Sequence, residues 1–308
     1  MLKRLFRAAL AGIVILIPLT AFAQDRLAVV ASFSVIADFA KNVGGDRVSV
    51  TTLVGPDGDA HAYEPKPADA KAMARARVIL VNGLHFEGFL QRLVDTSGTR
   101  APVVELTQGI EPIGIEAEPA RENDRSHAHD HGEADPHAFQ SVANARIYVR
   151  NIADAFCAAD KNGCSAYEAN AVAYTAKLDA LEKEIKDGVA SIPEAKRTII
   201  TSHDAFGYFE HAYRIAFRAP EGLSTEADPS AADVARLIED VRREKASAIF
   251  VENITNPRLI EQIASETGLK VGGALYSDAL SGPDGPASNY IDMMRHNIAT
   301  IRGAVSGS

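Results

Sequence analysis

Histidine is the residue through which this 308-residue chain could do chemistry, and its nine copies are unevenly spread. His127, His129 and His131 crowd a polar stretch, and His137 follows directly on Asp135-Pro136. Imidazole is the commonest biological ligand for borderline metals, and a tetrahedral zinc site needs about four such donors gathered by the fold. Three distant residues could meet His137: His61 after the turn cluster Gly55-Pro56-Asp57-Gly58, His203 within Ser202-His203-Asp204, and Asp278 just past an apolar run ending at Tyr276. No local signature such as HExxH ties them together, so only the tertiary fold could unite them. Each taken alone also reads as a solvated loop histidine or a turn-forming aspartate. On residue chemistry the quartet therefore stays one arrangement among several.

The elements that must position these residues alternate between strand and helix. Short β-branched runs at Arg26 to Ala31, Val48 to Val54, Val78 to Val81 and Val103 to Leu106 are separated by helical patterns, including Val35 to Val43, Ala68 to Ala76 and Phe86 to Val94. The second half repeats that grammar: strands at Arg197 to Thr201, Tyr213 to Phe217, Ala248 to Val251 and Val271 to Tyr276, with helices at Ala231 to Arg243, Pro257 to Thr267 and Tyr290 to Val305. The fold class is α/β. Two β/α lobes with parallel-rich sheets, residues 24–164 and 193–308, are expected to be joined by one long linker helix over 165–192. Ligand loops then lie at the carboxyl ends of the strands, and a metal site in the cleft between the lobes. From Ile113 to Pro136 apolar periodicity dissolves, which makes this stretch, with its His-rich part at 120–136, a loop of the first lobe. Order returns at His137 and continues as an amphipathic helix through Phe156.

The ends and the cysteines bound the class further. Lys3, Arg4 and Arg7, the apolar run Ala8 to Leu19 and the small-x-small site Ala21-Phe22-Ala23 read as a secretory signal peptide, residues 1–23, with Gln24 first in the mature chain. No cysteine follows that site, so no lipid anchor is expected. Without the leader, 29 cations face 41 anions, a formal charge of -12. An acidic chain with no basic block is a poor nucleic-acid partner. Cys157 and Cys164 are the only cysteines, and in an oxidising compartment this close pair is expected to form one disulfide; zinc ligation by the pair is the sharper alternative.

Several segments together resemble the zinc- and manganese-binding periplasmic solute-binding proteins of ABC transporters. They are GPDGDAHAYEPKP (Gly55 to Pro67), Asp135-Pro136-His137, TSHDAFGYF (Thr201 to Phe209), YSDALS (Tyr276 to Ser281) and YIDMMRHN (Tyr290 to Asn297). The resemblance covers essentially the whole mature chain in the right order. It implies that His61, His137, His203 and Asp278 are the four metal ligands, and that two α/β lobes move little about a long helix. Manganese members of this group usually carry Glu where His203 stands, and three imidazoles with one carboxylate suit Zn2+ better than a harder cation. A histidine-rich insertion is common among zinc members, so His127, His129 and His131 are expected to act as an auxiliary metal loop with a kinetic role. Departures are Phe139 and Gln140, where the family often has Trp, and the cysteine pair, which is not general. The implied partners are the permease of an inner-membrane ABC importer and, as an open alternative, a periplasmic zinc metallochaperone; the chain is expected to be a periplasmic monomer.

The resulting expectation is capture and delivery of Zn2+ without chemistry on a substrate. Three rivals stand beside it: a manganese-binding homologue, a zinc-dependent hydrolase with Glu64 or Asp204 as base, and an adhesin on the same scaffold stabilised by metal. His85, His211 and His296 read as core or surface residues, with His85 the one nearest the expected cleft.

Overall fold

The computed structural model describes residues 26–114, 134–227 and 229–307. The signal-peptide expectation and His127, His129 and His131 lie outside the described residues.

The apolar runs of the first half become four parallel strands: β1 (Leu27–Phe33), β2 (Val48–Val54), β3 (Val78–Val81) and β4 (Val103–Glu105), in the order β2-β1-β3-β4. The inner strands β1 and β3 are buried almost end to end. Helices cover both faces of such a strand, so its sequence is continuously apolar instead of alternating. Around this sheet lie α1 (Ser34–Gly44), α2 (Pro67–Arg75) and α3 (Leu90–Ser97). Pro67 opens α2 at a position where a missing N–H costs nothing, and the Asp69 carboxylate accepts from Lys66 N at 2.6 Å.

The second half builds the same topology again. Strands β5 (Thr198–Ile200), β6 (Ala216–Arg218), β7 (Ala248–Glu252) and β8 (Val271–Leu275) are parallel and ordered β6-β5-β7-β8. Strand order reverses between β1 and β3 and again between β5 and β7, which in open α/β sheets opens a crevice beyond the carboxyl ends. Helices α6 (Gly207–Tyr213), α7 (Ala231–Glu244), α8 (Arg258–Thr267) and α9 (Tyr290–Ser306) complete this half.

In chain order α4 (Val142–Ala159) and α5 (Cys164–Ala190) connect the two halves. The 27 residues of α5 span about 40 Å, and the helix packs on α1, α4 and α9. Its ends differ by one and two residues from those expected for the linker. The main apolar core passes from β1 and β3 through α4 and α5 to Tyr290, Met293 and Met294 of α9 and Phe206 and Phe209 near α6. A smaller cluster, with Leu237, Ile249, Ile260 and Ile263, fills the space between the second sheet and α7 and α8. Among the described residues no helix is long and apolar enough to cross a membrane.

Three local expectations are corrected. The stretch read as a strand from Tyr213 is helical through Tyr213 and turns at Arg214 (φ 62°), so β6 begins only at Ala216. Tyr208, Phe209 and Tyr213 have strand-forming side chains, but they face the core from one side of α6, and packing overrides propensity. Helix α3 starts at Leu90 instead of Phe86, because residues 83–85 take left-handed backbone angles. His137 is followed by a single 3-10 turn, Ala138–Gln140, before α4 begins at Val142.

Cys157 and Cys164 are joined by a disulfide across the α4–α5 turn, so neither sulfur is a free thiolate for zinc. The closed loop is short, with a sequence separation of 7. Replacing both cysteines by serine should lower stability by about 2–3 kcal/mol in urea unfolding. An unchanged midpoint and slope would show that the α4–α5 packing alone fixes the turn.

Candidate metal centre

Four polar side chains meet in one space, His61, His203 and Asp278 from loops beyond a strand's carboxyl end and His137 from the segment that leads into α4. After β2, Asp59 turns the chain back: its Oδ1 accepts from His61 N at 2.9 Å, which holds the backbone that carries the His61 ring. That loop is fastened to the other half of the molecule. Asp57 N donates to Leu280 O at 2.9 Å, and Asn253 Nδ2 donates to Asp57 Oδ1 at 3.0 Å.

His137 is held by the residues just before it. Asp135 Oδ1 accepts from His137 N at 2.8 Å and lies 2.9 Å from its Nδ1. A proton kept on Nδ1 by this carboxylate leaves Nε2 as the free donor. Gly207 makes room for that arrangement, since a Cβ there would collide with Asp135 Oδ2. The preceding carbonyl, of Pro136, accepts from Asn82 Nδ2 at 2.8 Å, which ties the segment to the end of β3.

His203 follows β5, and the glutamate that ends the neighbouring strand β7 holds it. Glu252 Oε1 accepts from Ser202 N at 2.7 Å and His203 N at 2.9 Å. Its Oε2 lies 2.6 Å from His203 Nδ1 as an ion-pair contact, off the direction of a good hydrogen bond. Asp278 follows β8, where Gln140 Nε2 donates to Ser277 O at 2.6 Å and Leu280 N donates to Ser34 Oγ at 2.9 Å.

These anchors bring four donors together. His61 Nε2 lies 3.2 Å from His137 Nε2 and 3.2 Å from Asp278 Oδ2, which is also 3.1 Å from His203 Nε2. His137 Nε2 is 3.6 Å from Asp278 Oδ1, and one ligand atom from each of the four residues lies within 4.8 Å of the others. His137, His203 and Asp278 are wholly buried, whereas His61 keeps 6% exposure, so solvent reaches the cluster on the His61 side. Asp278 Oδ1 is buried without a hydrogen-bond partner, a costly state for a carboxylate oxygen unless a cation satisfies it. Three ring nitrogens and one carboxylate crowded this closely form a donor set for a divalent cation.

Charge and burial oppose each other here. Burial acts against the His137 imidazolium, but the negative charges of Asp278 and Asp135 outweigh it and lift its pKa to about 9. His203 is likewise buried and is raised well above the usual histidine value by Glu252 and Asp278. Burial would raise Asp278, yet His137 and His203 hold it well below the ordinary carboxylate range. The same charges favour a positive partner, proton or cation, among these imidazoles.

The remaining sequence candidates lie outside the quartet. Of the bases in the hydrolase reading, Glu64 is exposed, and Asp204 stands beside His203, where burial raises its carboxyl above the ordinary range. His296 Nε2 is 3.0 Å from Ala274 O, and His211 borders a solvent-open groove near Arg197. Sequence reasoning missed Asp135 and Glu252. Asp135 was visible as the carboxylate two residues before His137, and Glu252 as an acid one position past an apolar strand.

Comparison with known proteins follows the same lines. The family described as "Zinc-uptake complex component A periplasmic" (ZnuA) matches residues 29–304. The manganese-binding lipoprotein MntA of Halalkalibacterium halodurans is 35% identical over 282 residues, 92% of this chain and 89% of the relative. Among solved structures, the periplasmic zinc binding protein TroA from Treponema pallidum superposes with a TM-score of 0.81 at 28% identity, covering 91% of this chain and 99% of that one. The Mn-bound periplasmic metal binding protein from Candidatus Liberibacter asiaticus gives 0.77 at 32% identity, covering 90% and 98%.

Glu252 offers a direct test of how the centre is held. Glu252→Gln keeps an acceptor for the backbone N–H groups but removes the charge behind His203, and should weaken divalent-metal binding by about 10- to 100-fold in competition titrations. Unaltered affinity in a folded variant would mean that the His203 ring is fixed by packing alone.

Proposed function

This chain belongs to the ZnuA family of periplasmic metal-binding components of ABC transporters, and on that premise we propose that it captures Zn2+ and hands it to the permease of an ABC importer. The observation that carries the reading is the meeting of His61, His137, His203 and Asp278 around one small buried space. All four protein donors together would close a tetrahedral shell, as suits a carrier, whereas a catalytic zinc keeps a position for water. In this reading the four are the ligands, residues 1–23 are a leader removed on export to the periplasm, and the monomer docks on an inner-membrane permease. A periplasmic zinc metallochaperone and a loading role for His127, His129 and His131 belong to the same proposal.

Binding proceeds by exchange of protons for metal. A cation and a proton compete for the same ring nitrogens, so capture releases protons and the carboxylate of Asp278 turns from partner of imidazolium to partner of the ion. The raised His137 pKa stabilises the metal-free fold fully below about pH 6.5, and that contribution fades as pH rises through about 9. Metal binding has the opposite trend and strengthens with pH over that window.

Manganese is the second reading, favoured by the MntA relative and by the manganese-loaded structure from Candidatus Liberibacter asiaticus. The donor set separates the two. Nitrogen-rich sites follow the Irving-Williams order, in which Mn2+ is the weakest of the first-row divalent ions.

Two measurements test this. Isothermal titration should give one tight site per chain with zinc preferred over manganese by about a hundredfold or more; equal affinities would favour the manganese reading. Zinc affinity should fall by about tenfold or more between pH 8 and pH 6. A flat profile would rule out a site built on three imidazoles.

A further inference from the structure

The one exposed edge of the metal cluster opens into a cavity of about 130 Å³, and its walls carry two side chains that the four-donor site leaves unused. His61 lies at the inner end. One wall is the segment from Leu84 to Gly88, a second runs from Leu223 to Glu226, and Ala134 and Pro136 close the third side. His85 and Glu226 both face this space. Among the described residues neither side chain has a hydrogen bond or ion pair, although an imidazole and a carboxylate are the two ligand types of the inner site.

The walls are built to hold these residues in place. Gly83, Leu84 and His85 are consecutively left-handed, with φ of 89°, 53° and 62°. Glycine accepts that region freely, but leucine and histidine enter it only at a steric cost. The backbone is kept there by Glu87, a buried carboxylate that accepts from Asn82 N at 2.6 Å, Gly83 N at 3.3 Å and Ser32 Oγ at 2.6 Å. An extended backbone at this point would carry His85 elsewhere. Across the mouth, Thr225 Oγ1 donates to Asp59 Oδ2 at 2.6 Å, while the other oxygen of the same carboxylate holds His61 N. The second wall is thus fastened to the loop that carries the first metal donor. Glu226 reaches over to the first wall, its Oε1 only 3.4 Å from where a side chain on Gly88 would begin.

We propose that His85 and Glu226 form a transit site for a divalent cation, which they hold at the mouth, still partly hydrated, before it passes to His61. This rests on the metal-capture reading of the inner site and adds its route of loading. The cavity has room for several waters, so the ion can shed its hydration shell in steps instead of all at once. A carboxylate at the mouth also raises the local cation concentration. Because a site on the pathway speeds entry and exit alike, its removal should slow both without altering the final equilibrium.

Stopped-flow mixing with Zn2+, read with a fluorescent zinc chelator, tests this on the full mature chain. In His85→Ala and in Glu226→Gln, association and dissociation rate constants should each fall by about three- to tenfold, with Kd unchanged and one zinc per chain. Glu226→Asp should restore most of the rate, and the salt dependence of association should weaken in Glu226→Gln. Rates equal to those of the unaltered protein would overturn the transit site. So would a weaker Kd at an unchanged association rate, which would place these residues in the tight site. Failure of the inner-site reading looks different: His203→Ala would then bind zinc as tightly as the unaltered chain.

Discussion

A carboxylate buried among three imidazoles is the constraint around which the molecule is arranged. Asp278 is wholly shielded from water and faces His61, His137 and His203 at 3.1–3.6 Å. Such a charge is tolerable only when neighbours compensate it, by protons on the imidazoles or by a cation in their midst. Exchange of protons for a divalent cation would satisfy that charge in either case. The scaffold fits a device that must bind and then release.

The two halves serve that exchange by being joined in more than one way. Helix α5 packs on α1 and α4 and on α9 of the second half, and the main apolar core continues from the first sheet through α4 and α5 into α9. At the site itself the halves are also stitched by polar contacts: Asp57 to Leu280 and Asn253, Ser34 to Leu280, and Gln140 to Ser277. A continuous core resists large opening, because packed interiors shift between discrete arrangements and do not stretch. Small displacements of the ligand loops are the motion that such a frame permits.

The carboxylates behind two of the clustered histidines repeat a single device in both halves. Asp135 behind His137 and Glu252 behind His203 each accept from a backbone N–H and approach the far ring nitrogen. Such partners fix ring orientation and raise ligand basicity, which links metal affinity to residues that never touch the ion. Glu87 accepts two backbone N–H groups at the end of β3, much as Glu252 does at the end of β5, but it braces the cavity wall instead of a ligand.

The sequence determined the α/β class, the strand runs and the long helix, because burial on both faces and helical periodicity leave direct marks on residue order. It also marked His61, His137, His203 and Asp278 as metal-binding candidates, through turn chemistry and strand ends in part and through family resemblance for the set as a whole. It began the strand after α6 three residues early, at Tyr213, since an aromatic residue suits either element and only packing against the core decided between them. Convergence itself was beyond it. His61 and Asp278 stand 217 positions apart, and their separation of 3.2 Å depends on two sheets of like topology turning their carboxyl ends toward one space. The roles of Glu252, of Asp59 with Thr225, and of the left-handed run at Gly83 to His85 were likewise settled only in three dimensions. Each depends on backbone direction or on contacts between distant segments, and residue order alone encodes neither.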